Sequence, residues 1–215
     1  YFFLITQLKK IESYVLLRSD GYKEYYYKFG IFGKFFYHLL LSLVKFNSKI
    51  LSVSSNLTNL KEKNVIDPSE LDKNWFKNRK KAKLSIPKLL YLGRFRKEKG
   101  VFSIIKIFNE IHEKYKLTIA GEKIESKQSV KNIKFIGNLN NQKKIIKLYD
   151  DHNIFILPSY TEGSPKVVKE SLSRLRPVIA FKEIKHIKRY KGVFICERNS
   201  LEFIKTIKYI INNYK

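Results

Sequence analysis

The chain has 215 residues and a mass of 25.6 kDa, with 44% hydrophobic and 29% charged residues. That is enough apolar material for a packed core, so wholesale disorder is excluded, and the length suits one domain plus part of another. Lys and Arg number 44 against 19 Asp and Glu, a formal net charge of +25, yet the excess is spread evenly along the chain and marks no single nucleic-acid-binding patch.

Arg supplies only eight of the basic residues, and the heavy use of Lys, Ile and Asn reads as coding bias before it reads as a nucleic-acid surface. Attraction to an anionic membrane surface, at ~1 kcal/mol per Lys, stays open. Cys196 is the single cysteine, so no internal disulfide forms and the composition fits a reducing compartment. There is no Met, so the chain reads as a fragment of a longer protein. The opening YFFLITQLKK is no signal peptide, because its lysines follow the apolar run instead of preceding it. No stretch is expected to span a bilayer, since the longest uncharged run of residues 22–46 is Phe35 to Val44, short of ~18 residues.

In chain order, Val15–Arg18 reads as the end of a strand and Ser19-Asp20-Gly21 as a turn. Residues 22–46 read as helix, weakened by Gly30 and Gly33. Ile50–Ser54 is a strand, followed by a helix capped near Ser54 or Ser55. Residues 61–87 turn Lys-rich, and 78–83 (NRKKAK) read as an exposed linker, which places a domain boundary near residue 84. Strands are then expected at 88–93, 116–121, 132–137, 153–158, 177–181 and 193–196. Helical spacing separates them: Val101, Ile104, Ile105, Phe108 and Ile111; then Ile145, Ile146, Leu148 and Tyr149; then Pro165 to Leu175, with Ser164 as N-cap. A last helix opens with Asn199-x-x-Glu202, a capping-box-like start, and carries Leu201, Ile204, Ile207 and Ile211 on one side. Nearly all-apolar strands alternating with helices predict a parallel sheet covered on both faces, a Rossmann-like domain.

Ligands of such sheets bind beyond the C-terminal strand ends, and two turns there carry chemistry. Gly93-Arg94-Phe95-Arg96-Lys97-Glu98-Lys99-Gly100 is neither G-x-G-x-x-G nor a Walker loop. It offers Arg94 and Lys99 for phosphate oxygens, or it is a solvated basic turn. Pro158-Ser159-Tyr160-Thr161-Glu162-Gly163-Ser164-Pro165 leads into a helix start suited to an anion. Glu162 suits that dipole or a ligand, and Glu170, on a mostly apolar face, needs a sugar hydroxyl or a nearby Lys as partner. The four His and one Cys show no metal-ligand spacing, and no G-x-S-x-G elbow occurs.

Taken together, R-x-x-x-x-K at 94/99 and E-x7-E at 162/170, with LLYLGRFRKEKG and PSYTEGSPKVVKESLSRLRPVIAF around them, resemble the donor-binding domain of family 4 ("group 1") GT-B glycosyltransferases. The resemblance covers about 84–213. It implies an α/β fold of GT-B type with a truncated N-terminal half: 1–83 a remnant of the acceptor-side domain and linker, 84–215 the Rossmann-like nucleotide-sugar-binding domain. It implies a retaining transferase moving a sugar from a nucleotide diphosphate sugar to a hydroxyl acceptor, for polysaccharide or lipopolysaccharide synthesis, cytoplasmic with a membrane-facing surface. By resemblance Arg94, Lys99 and Glu162 are catalytic, and Gly93, Gly163, Ser164, Lys166, Val167 and Glu170 bind the donor, with Glu170 at the ribose. No metal and no cofactor beyond the nucleotide-sugar co-substrate are implied, and the fragment is expected to be inactive alone. Three positions depart from the pattern: Leu175 stands where relatives have Gly, FKEIKHIKRYKG replaces a glycine-rich loop, and GEKIESKQSVKN after Gly121 is short. A basic nucleic-acid-binding α/β domain and a non-catalytic sugar-nucleotide-binding module remain alternatives.

Overall fold

The structure, a computed structural model, describes residues 12–54, 57, 65–66, 71–85, 87–111, 115–122 and 132–214. The expected helix after Ser55 and most of GEKIESKQSVKN lie outside the described residues. The chain divides into two compact units, Tyr1–Pro68 with Thr161–Ser164, and Ser69–Tyr160 with Pro165–Lys215. The sequence places the boundary near 84, whereas residues from Ser69 onward group with the second unit. The reason is local to that unit. The Arg174 guanidinium donates to the carbonyls of Trp75, Lys77 and Asn78 and to both oxygens of Asp150, while Arg176 donates to the Lys80 carbonyl. The side chains of 78–83 are largely exposed, as a linker's would be, but its backbone is held.

In the first unit, β1 (Tyr14–Leu17) and β2 (Lys49–Ser52) pair in parallel, with Tyr14 opposite Lys49. Between them α1 (Gly21–Asn47) starts on Asp20, whose carboxylate accepts the Lys23 amide at 3.2 Å. Gly30 has φ 64° and ψ −146°, outside the helical region and open only to glycine at low cost. There α1 folds back on itself. Tyr22 Oη lies 2.9 Å from His38 Nδ1, and the Tyr22 and Tyr25 rings lie 4.8 and 5.3 Å from that of Tyr37. In a straight helix, residues sixteen apart stand ~24 Å apart. Gly33 makes the crossing close: a Cβ there would come within 2.2 Å of the Tyr25 carbonyl oxygen. By length and composition Gly21–Phe46 is long and apolar enough to cross a membrane, with Lys28 and Lys34 interrupting its uncharged run. The fold-back gives it the shape of a helical hairpin.

The second unit is built on a six-stranded parallel sheet. Its strands are β3 (Lys88–Leu92), β4 (Lys116–Ala120), β5 (Ile133–Ile136), β6 (Ile154–Leu157), β7 (Val178–Phe181) and β8 (Val193–Cys196). Their order is β5-β4-β3-β6-β7-β8. Alternation sorts each strand between two layers. Leu89, Tyr91, Ile119, Ile156 and Phe181 face α2 (Val101–Asn109) and α5 (Ser200–Asn213), whereas Leu90, Ala120, Phe155, Leu157 and Ala180 face α3 (Gln142–Asp150), α4 (Lys166–Ser173) and Trp75.

Two helix details differ from expectation. α4 begins at Lys166, with Pro165 in the capping place in extended geometry and no side-chain cap. Proline's fixed φ suits both a cap and a first turn, so ψ decides the boundary. α5 turns Phe203, Ile207 and Ile210 inward while Leu201 is 62% exposed. The helix carries two apolar stripes, and the one that stacks Phe203 on Phe181, 6.1 Å between ring centres, wins the core.

Candidate functional site

The strand order is that of a doubly wound dinucleotide-type sheet, which reverses direction between β3 and β6. Ligands of such sheets sit at that reversal, outside the C-terminal strand ends. The two segments leaving there are Gly93–Gly100 after β3 and Pro158–Tyr160 after β6. The clefts of about 270 and 580 Å³ in this unit lie at the other edge, around Lys88, Lys134 and His152. Topology, and not cleft size, therefore selects the turns.

The turn after β3 is tightly built. The Gly93 amide bonds to the Ala120 carbonyl at 3.0 Å, and the Tyr91 hydroxyl donates to the Arg94 carbonyl at 2.8 Å. A 3-10 turn (Lys97–Lys99) then closes on Gly100, whose φ of 69° is left-handed. A Cβ at Gly100 would fall 1.9 Å from the Pro158 carbonyl oxygen, so glycine is what lets the two turns touch. The Tyr160 amide donates to the Glu98 carbonyl at 2.9 Å. On this scaffold the Arg94 side chain is exposed and Lys99 is half-buried. Glu98 is 5% exposed, and its Oε1 has no hydrogen-bond partner among the described residues. An orphaned buried oxygen marks a place that a ligand or an ordered water completes.

Arg198, which the sequence reading passed over, ties these turns together from the end of β8. Its guanidinium donates to the Pro158 carbonyl at 2.8 Å, to Ser103 Oγ at 2.7 Å and to both oxygens of Glu183, and it lies 4.0 Å from the Tyr160 ring centre and 4.4 Å from that of Phe181. Burial is the strongest single influence on the Glu183 carboxyl and pushes it up, but the Arg198 hydrogen bond, a backbone hydrogen bond and the charges of Arg198 and Lys182 together outweigh it and leave the group below the usual carboxylate range. One signal was readable: in a chain so rich in Lys, a position that keeps Arg often needs its fork of donors.

On α4, Glu170 is 5% exposed. Its Oε2 accepts the Tyr149 hydroxyl at 3.0 Å, and Lys166 Nζ stands 3.7 Å from Oε1. The Lys partner was foreseen as one alternative, and Tyr149 was not. Burial, then the Glu170 charge, pushes the Tyr149 phenol well up, so it stays protonated and donates. The Val168 amide bonds to the Pro165 carbonyl at 3.1 Å, closing the first turn beside Lys166 and Val167.

Glu162, Gly163 and Ser164 belong to the first unit. Glu162 and Ser164 are half-buried. A Cβ on Gly163 would come within 2.4 Å of the Arg18 carbonyl oxygen and 2.6 Å of Val53, so the close approach this glycine permits is to protein backbone. Thr161 Oγ1 is buried and, among the described residues, has no hydrogen-bond partner. No group of three or more His, Cys, Asp or Glu that could hold a metal occurs among the described residues.

Comparison with known proteins is consistent with this geometry. Residues 72–215 match the family model described as "Glycosyl transferases group 1". An uncharacterized glycosyltransferase of Haemophilus influenzae is 29% identical over 151 residues, covering 62% of this chain and 42% of the relative. TuaC of Bacillus subtilis, named for teichuronic acid biosynthesis, is 34% identical over 92 residues, 42% of this chain and 23% of the relative. The chain thus spans less than half the length of these two curated relatives. Among solved structures, Anabaena HepE in complex with UDP-glucose aligns with a TM-score of 0.74 at 13% identity, covering 99% of this chain and 66% of HepE. That likeness shows the GT-B fold.

Proposed function

The chain belongs to the glycosyl transferases group 1 family, and from that premise we propose that it supplies the nucleotide-sugar-binding domain of a retaining hexosyltransferase of family 4. The enzyme moves a sugar from a nucleotide diphosphate sugar to a hydroxyl acceptor in cell-surface polysaccharide synthesis. The observation that carries this reading is the placement of Arg94 and Lys99 on a glycine-bounded turn at the sheet's reversal point. The UDP-glucose held by HepE and the teichuronic acid role in the name of TuaC support the substrate class.

The chemistry follows from charge. As the glycosidic bond to the diphosphate breaks, negative charge grows on the leaving phosphate. Arg94 offers a bidentate fork and Lys99 a point charge to it, with Gly93 and the turn at Ser164, Lys166 and Val167 around the phosphates. The reading assigns this neutralisation to protein cations and helix start, with no metal. Glu162 accepts hydroxyls of the transferred sugar. Glu170, oriented by Tyr149, accepts the ribose hydroxyls.

Titration calorimetry with UDP, GDP and ADP, beside a nonspecific oligonucleotide, tests this reading. A nucleoside diphosphate is expected to bind and the oligonucleotide not; steeply salt-dependent oligonucleotide binding without nucleotide binding would overturn it. In the full-length enzyme, Lys99→Ala is expected to lower kcat by about a hundredfold, because the lost contact strengthens in the transition state. Glu162→Gln is expected to lower kcat in the same way. Glu170→Gln is expected to raise KM about tenfold with kcat little changed, because ribose binding is nearly uniform along the reaction.

A further inference from the structure

The cleft of about 270 Å³ lies where β3, β4 and β5 begin, away from the turns that leave the strand ends. Three lysines line it, Lys88, Lys116 and Lys134, with Thr118, Asn132 and His152, and among the described residues no carboxylate does. Strand register explains why they meet. Lys88 pairs with Lys116 and Thr118 with Lys134, so alternation sends all four side chains to one face of the sheet. Neighbouring strands stand about 4.8 Å apart, and like charges that close repel one another. None of the three ammonium groups has an ion-pair or hydrogen-bond partner among the described residues. Asp150 and Asp151 line the adjoining cleft of about 580 Å³. Asp150 is held by Arg174 and Arg176, and Asp151 stands 3.3 Å from Lys147. A cleft lined by one sign of charge gathers ions of the other.

His152, which lines both clefts, is 8% exposed. Its Nδ1 lies 2.7 Å from the Leu148 carbonyl and its Nε2 2.8 Å from Thr118 Oγ1. A carbonyl only accepts, so Nδ1 carries a proton. Burial is the strongest influence on the ring and holds it below the ordinary histidine value; the Leu148 bond and Asp151 oppose it, and Lys88 and Lys134 reinforce it. The neutral ring therefore accepts the Thr118 hydroxyl at Nε2. An anion among the lysines would cancel their push, so the ring is a built-in reporter of what the cleft holds.

We propose that this cleft binds a phosphate dianion, either free or as the terminal group of a small monoester, between the ammonium groups of Lys88, Lys116 and Lys134. Its volume is just under the ~300–1,000 Å³ usual for ligand pockets, which suits a small anion better than a nucleotide. The proposal does not depend on the glycosyl-transfer reading.

The test follows the His152 ring by NMR in the full-length protein, its resonance identified by loss in His152→Gln. The ring is titrated with pH in chloride, in inorganic phosphate and in glycerol phosphate at matched ionic strength. Phosphate is expected to raise the midpoint by about half a pH unit or more over chloride. Equal shifts from the two phosphates assign recognition to the phosphate group alone, and a shift from the monoester only assigns it to a phosphorylated metabolite. Lys116→Gln with Lys134→Gln changes two exposed side chains and is expected to leave folding intact. In that variant the midpoint should be the same in all three buffers. Calorimetry should show phosphate binding weakened by at least about tenfold, with nucleoside diphosphate binding unchanged. The proposal is overturned if neither phosphate moves the ring beyond chloride, or if the shift survives in the lysine variant.

Discussion

The two units solve the burial of apolar side chains in opposite ways. In the second, six strands let β6 and β7 sit with every side chain at most 3% exposed, and helices cover both faces. In the first, among the described residues, two strands serve a 27-residue helical segment, and ten large apolar side chains from Tyr26 to Phe46 are at least 36% exposed. A sheet buries in proportion to the strands it can pair, so the same aromatic-rich, lysine-rich composition makes a dry core where six strands pair and leaves apolar side chains uncovered beside the two described strands of the first unit. The consequence is that substitutions of similar size should differ greatly in effect between the units.

The largest effect is expected from Arg174→Ala. Arg174 is 2% exposed and joins Asp150 to three backbone carbonyls of residues 75–78. Its loss orphans those acceptors and should cost about 3 kcal/mol or more in urea unfolding of the second unit. A change below about 0.5 kcal/mol, within the ordinary range for surface sites, would break the contrast between units.

Gly100→Ala comes next. It demands a left-handed alanine and forces a Cβ onto the Pro158 carbonyl. A cost of ~2–3 kcal/mol is expected, with nucleotide affinity falling alongside because the two turns separate.

Leu175→Gly should run the other way. Leu175 has φ 57°, a left-handed geometry that costs a non-glycine residue ~1–2 kcal/mol. Part of that relief is offset by glycine's greater chain entropy, so the thermal midpoint should rise modestly, by less than ~1 kcal/mol in free energy. Smallest of all, Phe32→Ser at an 85% exposed site should stay within about 0.5 kcal/mol in the same unfolding experiment.

Most of the second unit was legible because periodicity speaks directly about parallel sheets: each expected strand from 88 to 196 appears within about two residues. The motif residues Arg94 and Lys99 were legible as positions on a turn, and Leu175 as an odd residue where a glycine belongs. What stayed hidden shares one physical cause, contact between residues far apart in sequence. Tyr149 reads as one apolar mark on a helix face, yet its hydroxyl is a partner of Glu170. Arg198 reads as a loop cation, yet it bonds to residues 40 and 95 positions away. The fold-back at Gly30 was equally hidden, since a glycine in a helical pattern signals weakness but not the direction the chain takes.

The lone tryptophan gives the molecule an optical address. Trp75 is 2% exposed, and its ring centre lies 5.9 Å from that of Tyr149, edge to face. With a single indole in the chain, selective excitation reads one neighbourhood, the corner where the hydroxyl of Tyr149 reaches Glu170. Emission from Trp75 therefore follows the second unit's unfolding at that corner. Quenching on addition of a nucleotide would place the bound ligand's influence within one aromatic ring of Glu170, with no label introduced.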